Sequence, residues 1–139
     1  CYSILSCVTI GNTFCTGGGV IVDEFMRCSK WIEDALAYGG GTHDLQDVFD
    51  GILEGKMQLW PAERGCIVTE IAIFPRKRVL HIFLAGGELD QITDMHEDVT
   101  AWAKSQNCSA LTLSGRPGWK KALAPFGWSP TLLTLSKEI

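Results

Sequence analysis

The segment from Arg78 to Leu113 constrains the fold of this chain more than any other part of its sequence. An apolar run over Arg78–Leu84 is followed, after two glycines, by a helical pattern over Leu89–Asn107. A second apolar run then covers Ser109–Leu113. Two strands that are joined through one helix normally lie parallel in the same sheet. The segment therefore predicts a strand–helix–strand unit, which is typical of proteins that pack helices on a sheet.

The rest of the chain supplies the elements around this unit. Before this unit, periodicity and capping residues predict a helix over Lys30–Tyr38 after an N-cap at Ser29, and a second helix that begins at Thr42 or Asp44 and ends before Gly55. Strands over Met57–Trp60 and Cys66–Phe74 follow these helices. After the unit, the sequence predicts a short helix over Gly118–Leu123 and a final strand over Trp128–Leu135. The 139 residues are enough for one domain. We predict a single α/β (α+β) domain whose mixed, mostly antiparallel sheet has helices on both faces.

The beginning of the chain differs sharply in composition from the rest. Residues 1–22 carry no charged side chain. Glycines interrupt this apolar stretch before it reaches the roughly 20 residues that a membrane-spanning helix needs, so we expect no membrane association. The composition predicts that residues 1–25 form an arm or the first strand(s), over Tyr2–Ile10 and Val20–Val22. Residues 26–139 are then the folded domain.

The overall charge and the cysteine spacing exclude several classes of function. A net charge of −4 gives no basic surface of the kind that nucleic acids require. None of the six cysteines forms a C-x-x-C pair, and His43 and His96 lie in separate helical regions. We therefore expect no metal site and solvated histidines. The wide cysteine spacing favours reduced thiols in a cytoplasmic protein, and the alternative is a secreted chain with three disulfide bridges.

A carboxylate and an imidazole are the candidate catalytic groups. Glu70 and His81 lie in the two strands of a predicted hairpin, and a general base of either kind accepts a proton from an amine. Side chains alternate between the faces of a strand, so the length of the hairpin turn decides whether the two groups meet. A two-residue turn places them on one face, and a three-residue turn places them on opposite faces. If they do not meet, Glu70 is a solvated residue and His81 a hydrogen-bonded core residue.

The order of these elements resembles the GNAT (GCN5-related N-acetyltransferase) fold over almost the whole chain. The end of the sequence, "GRPGWKKALAPFGWSPTLLTLSKEI" (Gly115–Ile139), adds to the resemblance through a short helix, a glycine–aromatic pair at Gly127-Trp128 and a last strand. Its "GR-x-GW" element is similar to the tails of small GNAT-like proteins that phages and prophages encode. The resemblance thus implies a GNAT-like domain of phage or prophage origin.

The resemblance also implies an acetyl-CoA site between the two parallel strands. In that family these strands move apart, and backbone N–H groups at the start of the following helix hold the pyrophosphate. The residues that the resemblance assigns to cofactor binding are Leu84, Ala85, Gly86, Gly87, Arg116 and Trp119. It implies an amine acceptor, with Glu70 or His81 assisting the removal of a proton.

The sequence departs from the family's pattern at the cofactor loop. The family signature, which is Arg or Gln, two residues, Gly, one residue and then Gly or Ala, is absent. Two adjacent glycines instead precede Glu88 and Asp90, whose carboxylates stabilise the first helical turn and repel a pyrophosphate. The tyrosine that protonates the leaving thiolate in many members has no counterpart near Leu123. The glycines form either a cofactor cradle or a tight strand-to-helix corner.

The sequence leaves two functions open. The first is an acyl-CoA-dependent N-acyltransferase with a degenerate cofactor motif, acting on an amine in the cytoplasm of the cell or of a phage host. The second is a non-catalytic binding protein, or a virion structural or accessory protein, on a GNAT-like scaffold. In that case the uncharged arm pairs with another copy of the chain or with virion proteins through its strand edges.

Overall fold

The computed structural model describes residues 18–38, 41–115 and 118–139 of the chain. The elements are, in chain order, α1 (Gly18–Leu36), α2 (Leu45–Leu53), β1 (Met57–Ala62), β2 (Gly65–Ile73), β3 (Arg78–Gly87), α3 (Leu89–Asp94), α4 (His96–Ser105), β4 (Ala110–Leu113), α5 (Gly118–Leu123) and a 3-10 turn (Ala124–Phe126). The predicted strand Tyr2–Ile10 lies outside the described residues, and the predicted arm over residues 1–25 is described only from Gly18.

The four strands form one sheet in the order β1-β2-β3-β4. β1 pairs antiparallel with β2, and β2 pairs antiparallel with β3. β4 pairs parallel with β3, from Val79 opposite Ala110 to Ile82 opposite Leu113. The mixed, mostly antiparallel sheet and the strand–helix–strand unit are therefore confirmed.

Each face of the sheet carries its own hydrophobic core. We call the face under α1 and α2 the front face; its buried residues are Phe25, Cys28, Ile32, Val48, Ile52, Met57, Leu59, Cys66, Val68 and Leu84. We call the face under α3 and α4 the back face; its buried residues are Trp60, Ala62, Ile67, Leu80, Ile82, Ile92, Met95, Val99 and Ala103. The expected helices on both faces are present.

Helix α1 begins well before the helix that the sequence predicts. The prediction of a strand over Val20–Val22 is wrong, because these residues lie inside α1. Ser29 is not an N-cap, and its hydroxyl donates instead to the carbonyl of Met26. The early start has a physical reason: Phe25, Cys28 and Ile32 recur at helical spacing and are buried on the front face, and such packing overrides the weak strand preference of β-branched residues.

Helix α2 follows its local signals closely. Asp44 is the N-cap, and its side chain accepts a hydrogen bond from the backbone N–H of Asp47. The side chain of Asp47 accepts one from the backbone N–H of Asp44, which completes a capping box. Of the two predicted start sites, the structure therefore selects Asp44 rather than Thr42. Gly55 follows the helix with a positive φ of 80°, as a terminating glycine does.

Two element boundaries differ from prediction for reasons of hydrogen bonding. β1 continues through Pro61, which lies opposite Cys66, because β1 is at the edge of the described sheet and a proline there removes no ladder bond. The single helix predicted over Leu89–Asn107 is two segments. Its break is at Met95, whose N–H donates to the carbonyl of Ile92 in a tightened turn.

The final predicted strand, Trp128–Leu135, is not a strand in the structure. Residues 128–139 have no regular structure, and the chain is exposed from Ser129 onward. A run such as Thr131–Leu135 favours a strand only when a neighbouring strand supplies hydrogen bonds, and Pro130 removes one donor. Trp128 itself packs against the back-face core.

Candidate functional site

The two parallel strands separate partway along β3. Their pairing ends where Ile82 lies opposite Leu113, whereas β3 continues to Gly87. On its other side β3 shifts register against β2, between the pairs Val68–Leu84 and Thr69–Ile82. Phe83 therefore has no partner residue in either neighbouring strand of the described sheet. A bulge of this kind leaves a main-chain position unpaired, and it re-aims the side chains next to it.

A cavity of about 310 Å³ opens on the front face beside this point. Four separate parts of the chain line it, and the lining residues are Ala35, Leu36 and Tyr38 near the end of α1, Thr42 and His43 before α2, Glu70, His81, Phe83, Leu84 and Ala85 from β2 and β3, and Ser114, Gly115 and Trp119 after β4. A concave site of this size, with a few polar groups among apolar walls, is typical of a small-molecule site.

Glu70 and His81 meet on the wall of this cavity. They lie directly opposite each other in the β2–β3 ladder. The turn between the strands has four residues, from Phe74 to Lys77, and an even number gives the same parity as the two-residue turn. Of the two alternatives, the structure therefore selects the one in which the groups share a face.

His81 is held in place by a neighbouring strand. Its Nδ1 lies 2.9 Å from Oγ1 of Thr112 in β4, within hydrogen-bond distance. Burial lowers the pKa of His81, and the Glu70 carboxylate offsets part of that effect. A histidine with a lowered pKa is neutral at neutral pH and is able to accept a proton.

The second cavity histidine is His43, for which the prediction of a solvated side chain is wrong. Its Nδ1 lies 2.8 Å from Oγ1 of Thr42, and its ring packs edge-on against Phe83 with 4.7 Å between ring centres. His96 is also engaged: Nε1 of Trp128 donates to its Nε2 at 2.9 Å. Both histidines are half-buried, because aromatic side chains that are distant in sequence cover them.

Sequence reasoning missed several residues of the cavity. Tyr38, Thr42, His43 and Ser114 line it, and none was a candidate. Their only shared signal is that each lies at or just beyond the end of a predicted element, where binding residues are often found. By contrast Leu123, the position where the resemblance places a proton-donating tyrosine, is buried on the wall of a back-face cavity.

The predicted cofactor residues have three different outcomes. Leu84, Ala85 and Trp119 line the front cavity, whereas Arg116 lies outside the described residues. Gly86 and Gly87 do not form a loop, because they continue β3 opposite Cys66 and Gly65. The role of these residues in cofactor binding stays a prediction.

Close packing explains the two adjacent glycines. A Cβ at Gly86 would lie 2.8 Å from the backbone oxygen of Trp31 in α1, and one at Gly87 would lie 2.4 Å from the backbone oxygen of Arg64. Gly87 also has a φ of 102°, which side chains rarely allow. The strand-to-helix connection is thereby reduced to Glu88, the N-cap of α3. The geometry is that of the tight strand-to-helix corner, one of the two alternatives that the sequence left open.

The acidic corner is held by a basic residue from another part of the chain. Arg64, between β1 and β2, pairs with Glu88 and lies 3.7 Å from Asp90. The hydrogen bond to Glu88 raises the pKa of Arg64. The N–H of Glu88 also donates to the Arg64 carbonyl at 2.9 Å. At the corner that the resemblance assigns to a pyrophosphate, the cation Arg64 is thus already engaged by two carboxylates.

Trp119 stands where the front and back faces of the sheet meet. A second cavity, of about 20 Å³, lies on the back face among apolar residues of α3, α4 and β4. The two cavities share Ala85 and Trp119. Trp119 also packs against Gly115, where an added Cβ would lie 2.8 Å from the indole ring. The indole therefore separates the two cavities beside the part of β3 after Ile82, which pairs with β2 but not with β4 and which we call the unpaired end of β3.

No protein-family model matches the sequence, and no curated protein matches it significantly. Solved structures do match. An acetyltransferase from Trypanosoma brucei superposes with a TM-score of 0.61 at 12% identity, over 84% of this chain and 95% of that chain. A GNAT family acetyltransferase from Staphylococcus aureus has a TM-score of 0.54 at 12% identity, over 84% of this chain and 93% of that chain. The fold is GNAT-like. At these identities the similarity shows the fold alone.

In this GNAT-like fold, the unpaired end of β3 is the place that the resemblance assigns to acetyl-CoA. The similarity to phage-encoded proteins stays a prediction. Across residues 18–38, 41–115 and 118–139, no group of three or more histidine, cysteine or acidic side chains is arranged to hold a metal ion. In the same part of the chain, no helix has the length and apolar character that crossing a bilayer requires. Cys28, Cys66 and Cys108 have free thiols.

Proposed function

We propose that the protein is an N-acyltransferase that acts on an amine in the front-face cavity. The observation that carries this proposal is the direct pairing of Glu70 with His81 on the wall of a cavity beside the unpaired end of β3. A carboxylate next to a neutral imidazole is suited to removing a proton from an amine. The GNAT-like fold supports acyl transfer by analogy.

The chain's own groups would handle the proton in the following way. In the tautomer whose Nδ1–H donates to Oγ1 of Thr112, Nε2 of the His81 ring is free to accept a proton from the amine. The Glu70 carboxylate, on the neighbouring strand, stabilises the imidazolium that forms. Leu84, Phe83 and Trp119 form apolar walls around the pair and limit the access of water. Tyr38 places a phenol in the same cavity.

The residues beside the gap fit the slender acyl-bearing arm of acetyl-CoA, which would supply the acyl thioester. Ala85 and Trp119 line the gap, and the bulge at Phe83 leaves main-chain groups there for a ligand. At the phosphate end, the cation Arg64 would have to exchange Glu88 for the phosphates. We therefore propose that the arm, rather than the phosphates, provides most of the cofactor's binding free energy.

A calorimetric titration with acetyl-CoA tests the proposal. Ligand at 100 times its Kd stabilises the folded protein by about 2.7 kcal/mol, so the melting temperature rises if the proposal holds. Glu70→Gln and His81→Gln should lower the acylation rate by about 10²–10⁴ and leave acetyl-CoA binding intact. Glu33→Gln, on the exposed side of α1, is the matched control. Absence of both heat and a melting shift at millimolar acetyl-CoA would remove the proposal.

The second candidate function is a binding module that uses no cofactor. It is favoured by the state of the corner before α3. Arg64 is already paired with Glu88 and Asp90, and Gly86 and Gly87 pack closely against α1 and the β1–β2 turn. In this case the partner is another copy of the chain or a virion protein, reached through the uncharged N-terminal residues. Removal of residues 1–17, which leaves α1 whole, should then abolish assembly in size-exclusion chromatography. Unchanged assembly after that deletion contradicts this candidate.

A further inference from the structure

The front-face cavity has an unbalanced charge. Glu70 is the only residue with a formal charge among the described residues that line it, which include neither lysine nor arginine. His81, its neighbour in the ladder, adds no positive charge because burial lowers its pKa. Glu70 is half-buried, so water screens its charge less than at an open surface. A partly buried carboxylate without a basic partner in its cavity favours a cation from outside.

Aromatic rings line the same cavity as this carboxylate. Tyr38, Phe83 and Trp119 line the cavity together with the imidazole of His43, which packs edge-on against Phe83. The faces of such rings attract organic cations. A metal ion would need several oxygen or nitrogen ligands at once, whereas this wall offers a single carboxylate. The space of about 310 Å³ also suits an organic ion better than a bare metal ion.

We propose that the front-face cavity selects an organic ammonium ion that carries no carboxylate or phosphate of its own. This inference deepens the proposed function, since it names the chemical class of the acceptor. A ligand with a carboxylate of its own would place a second negative charge in a cavity whose described lining has no basic side chain to pair it. Burying an unpaired charge is costly, so zwitterions and anions should be excluded.

Three ligands of similar shape separate charge from size. Choline is a cation, 3,3-dimethylbutan-1-ol is its uncharged isostere, and glycine betaine is a zwitterion. Calorimetric or NMR titration of the full chain should show that choline binds at least about tenfold more tightly than either of the others, which corresponds to about 1.4 kcal/mol. A quaternary ammonium has no proton to lose and no free nitrogen to acylate, so its binding is independent of acyl transfer.

Variants locate the effect at Glu70. Glu70→Gln should lower choline affinity by about tenfold or more, whereas the exposed Glu33→Gln should leave it unchanged. Equal affinities for the three ligands, no detectable choline binding, or an unaffected Glu70→Gln variant would each overturn the inference. If Glu70→Gln does not fold, the selectivity of the unmodified chain decides.

The choline test and the acetyl-CoA titration can each fail without the other, so their outcomes separate the two proposals. Choline binding without any acetyl-CoA effect supports the ammonium site and rejects acyl transfer. Acetyl-CoA binding without choline selectivity supports acyl transfer and rejects the ammonium site.

Discussion

The two faces of the sheet share the same strands but differ in how completely they are filled. The back face leaves a cavity of about 20 Å³ with an almost wholly apolar lining, whereas the front face leaves about 310 Å³ with Glu70, His81 and other polar groups on its walls. β3 supplies both, since Leu80 and Ile82 point to the back core and His81 points to the front cavity. A single strand, β3, thus contributes side chains both to the stabilising back-face core and to the front-face cavity.

The largest expected effect comes from matched leucine truncations on the two faces. Leu80 is fully buried on the back face, so Leu80→Ala should cost about 2–5 kcal/mol of unfolding free energy. Leu36 is half-buried on the wall of the front cavity, so Leu36→Ala should cost roughly half as much or less. Urea denaturation of both variants provides the measurement. Equal losses would show that the front wall is packed as tightly as the back.

A second prediction concerns the residue that separates the two faces. Trp119→Ala should join the two cavities and destabilise the fold by about 2 kcal/mol, less than a fully buried tryptophan because Trp119 is half-buried. Indole should raise the melting temperature of this variant and leave that of the unmodified protein unchanged, since an engineered apolar cavity binds a ligand of the lost shape. Trp102→Ala, on the back face only, is the control. Rescue of both variants alike would contradict a special position for Trp119.

The helix caps offer a smaller contrast between the faces. Asp44 caps α2 on the front face through a side-chain hydrogen bond of 2.9 Å, so Asp44→Ala should cost about 1 kcal/mol. Glu88 caps α3 on the back face, but within the described residues its side chain makes no capping bond. Its exposed pair with Arg64 contributes little, so Glu88→Ala should stay within about 0.5 kcal/mol. Thermal unfolding of the two variants measures these losses, and a larger loss of stability in Glu88→Ala than in Asp44→Ala would contradict the prediction.

The smallest expected effect is a pH dependence that arises on the front face alone. Because burial lowers the pKa of His81, the unfolded chain binds a proton more readily than the folded chain does. The stability linked to His81 is therefore complete above its unfolded pKa, about 6.5, and is lost as the pH falls below it. His81→Gln should flatten the melting temperature between pH 7 and pH 5 compared with the unmodified protein. Parallel profiles for the two proteins would exclude this linkage.

Local patterns predicted those elements whose signals lie within one or two turns of chain. The Gly55 stop of α2 and the hairpin of β2 and β3 follow from local patterns, and these patterns limited the start of α2 to Thr42 or Asp44. Where tertiary packing competes with a local preference, the prediction is wrong. Val20–Val22 is helical because the face of α1 that includes Phe25 is buried, and Trp128–Leu135 is no strand because it has no strand partner in the described sheet.

The candidate site was only partly predictable. Glu70, His81, Leu84, Ala85 and Trp119 are the predicted residues that the structure brings together. The two glycines could not be assigned from the sequence, because a cradle and a tight corner require the same residue type. The decision depends on how closely α1 and the β1–β2 turn approach β3.

The sequence by itself determined the order of the elements from α1 to α5 apart from the break at Met95, the parallel strands on either side of the crossover and the absence of a large basic field. These properties depend on periodicity, capping and charge, which are set by residues that are close together in the sequence. Only the tertiary structure decided that a four-residue turn brings Glu70 opposite His81, that β4 stops at Leu113 and that Arg64 reaches Glu88. The reason is physical: these contacts join residues that are far apart in the chain, and their geometry is set by the packing of whole elements rather than by any local preference.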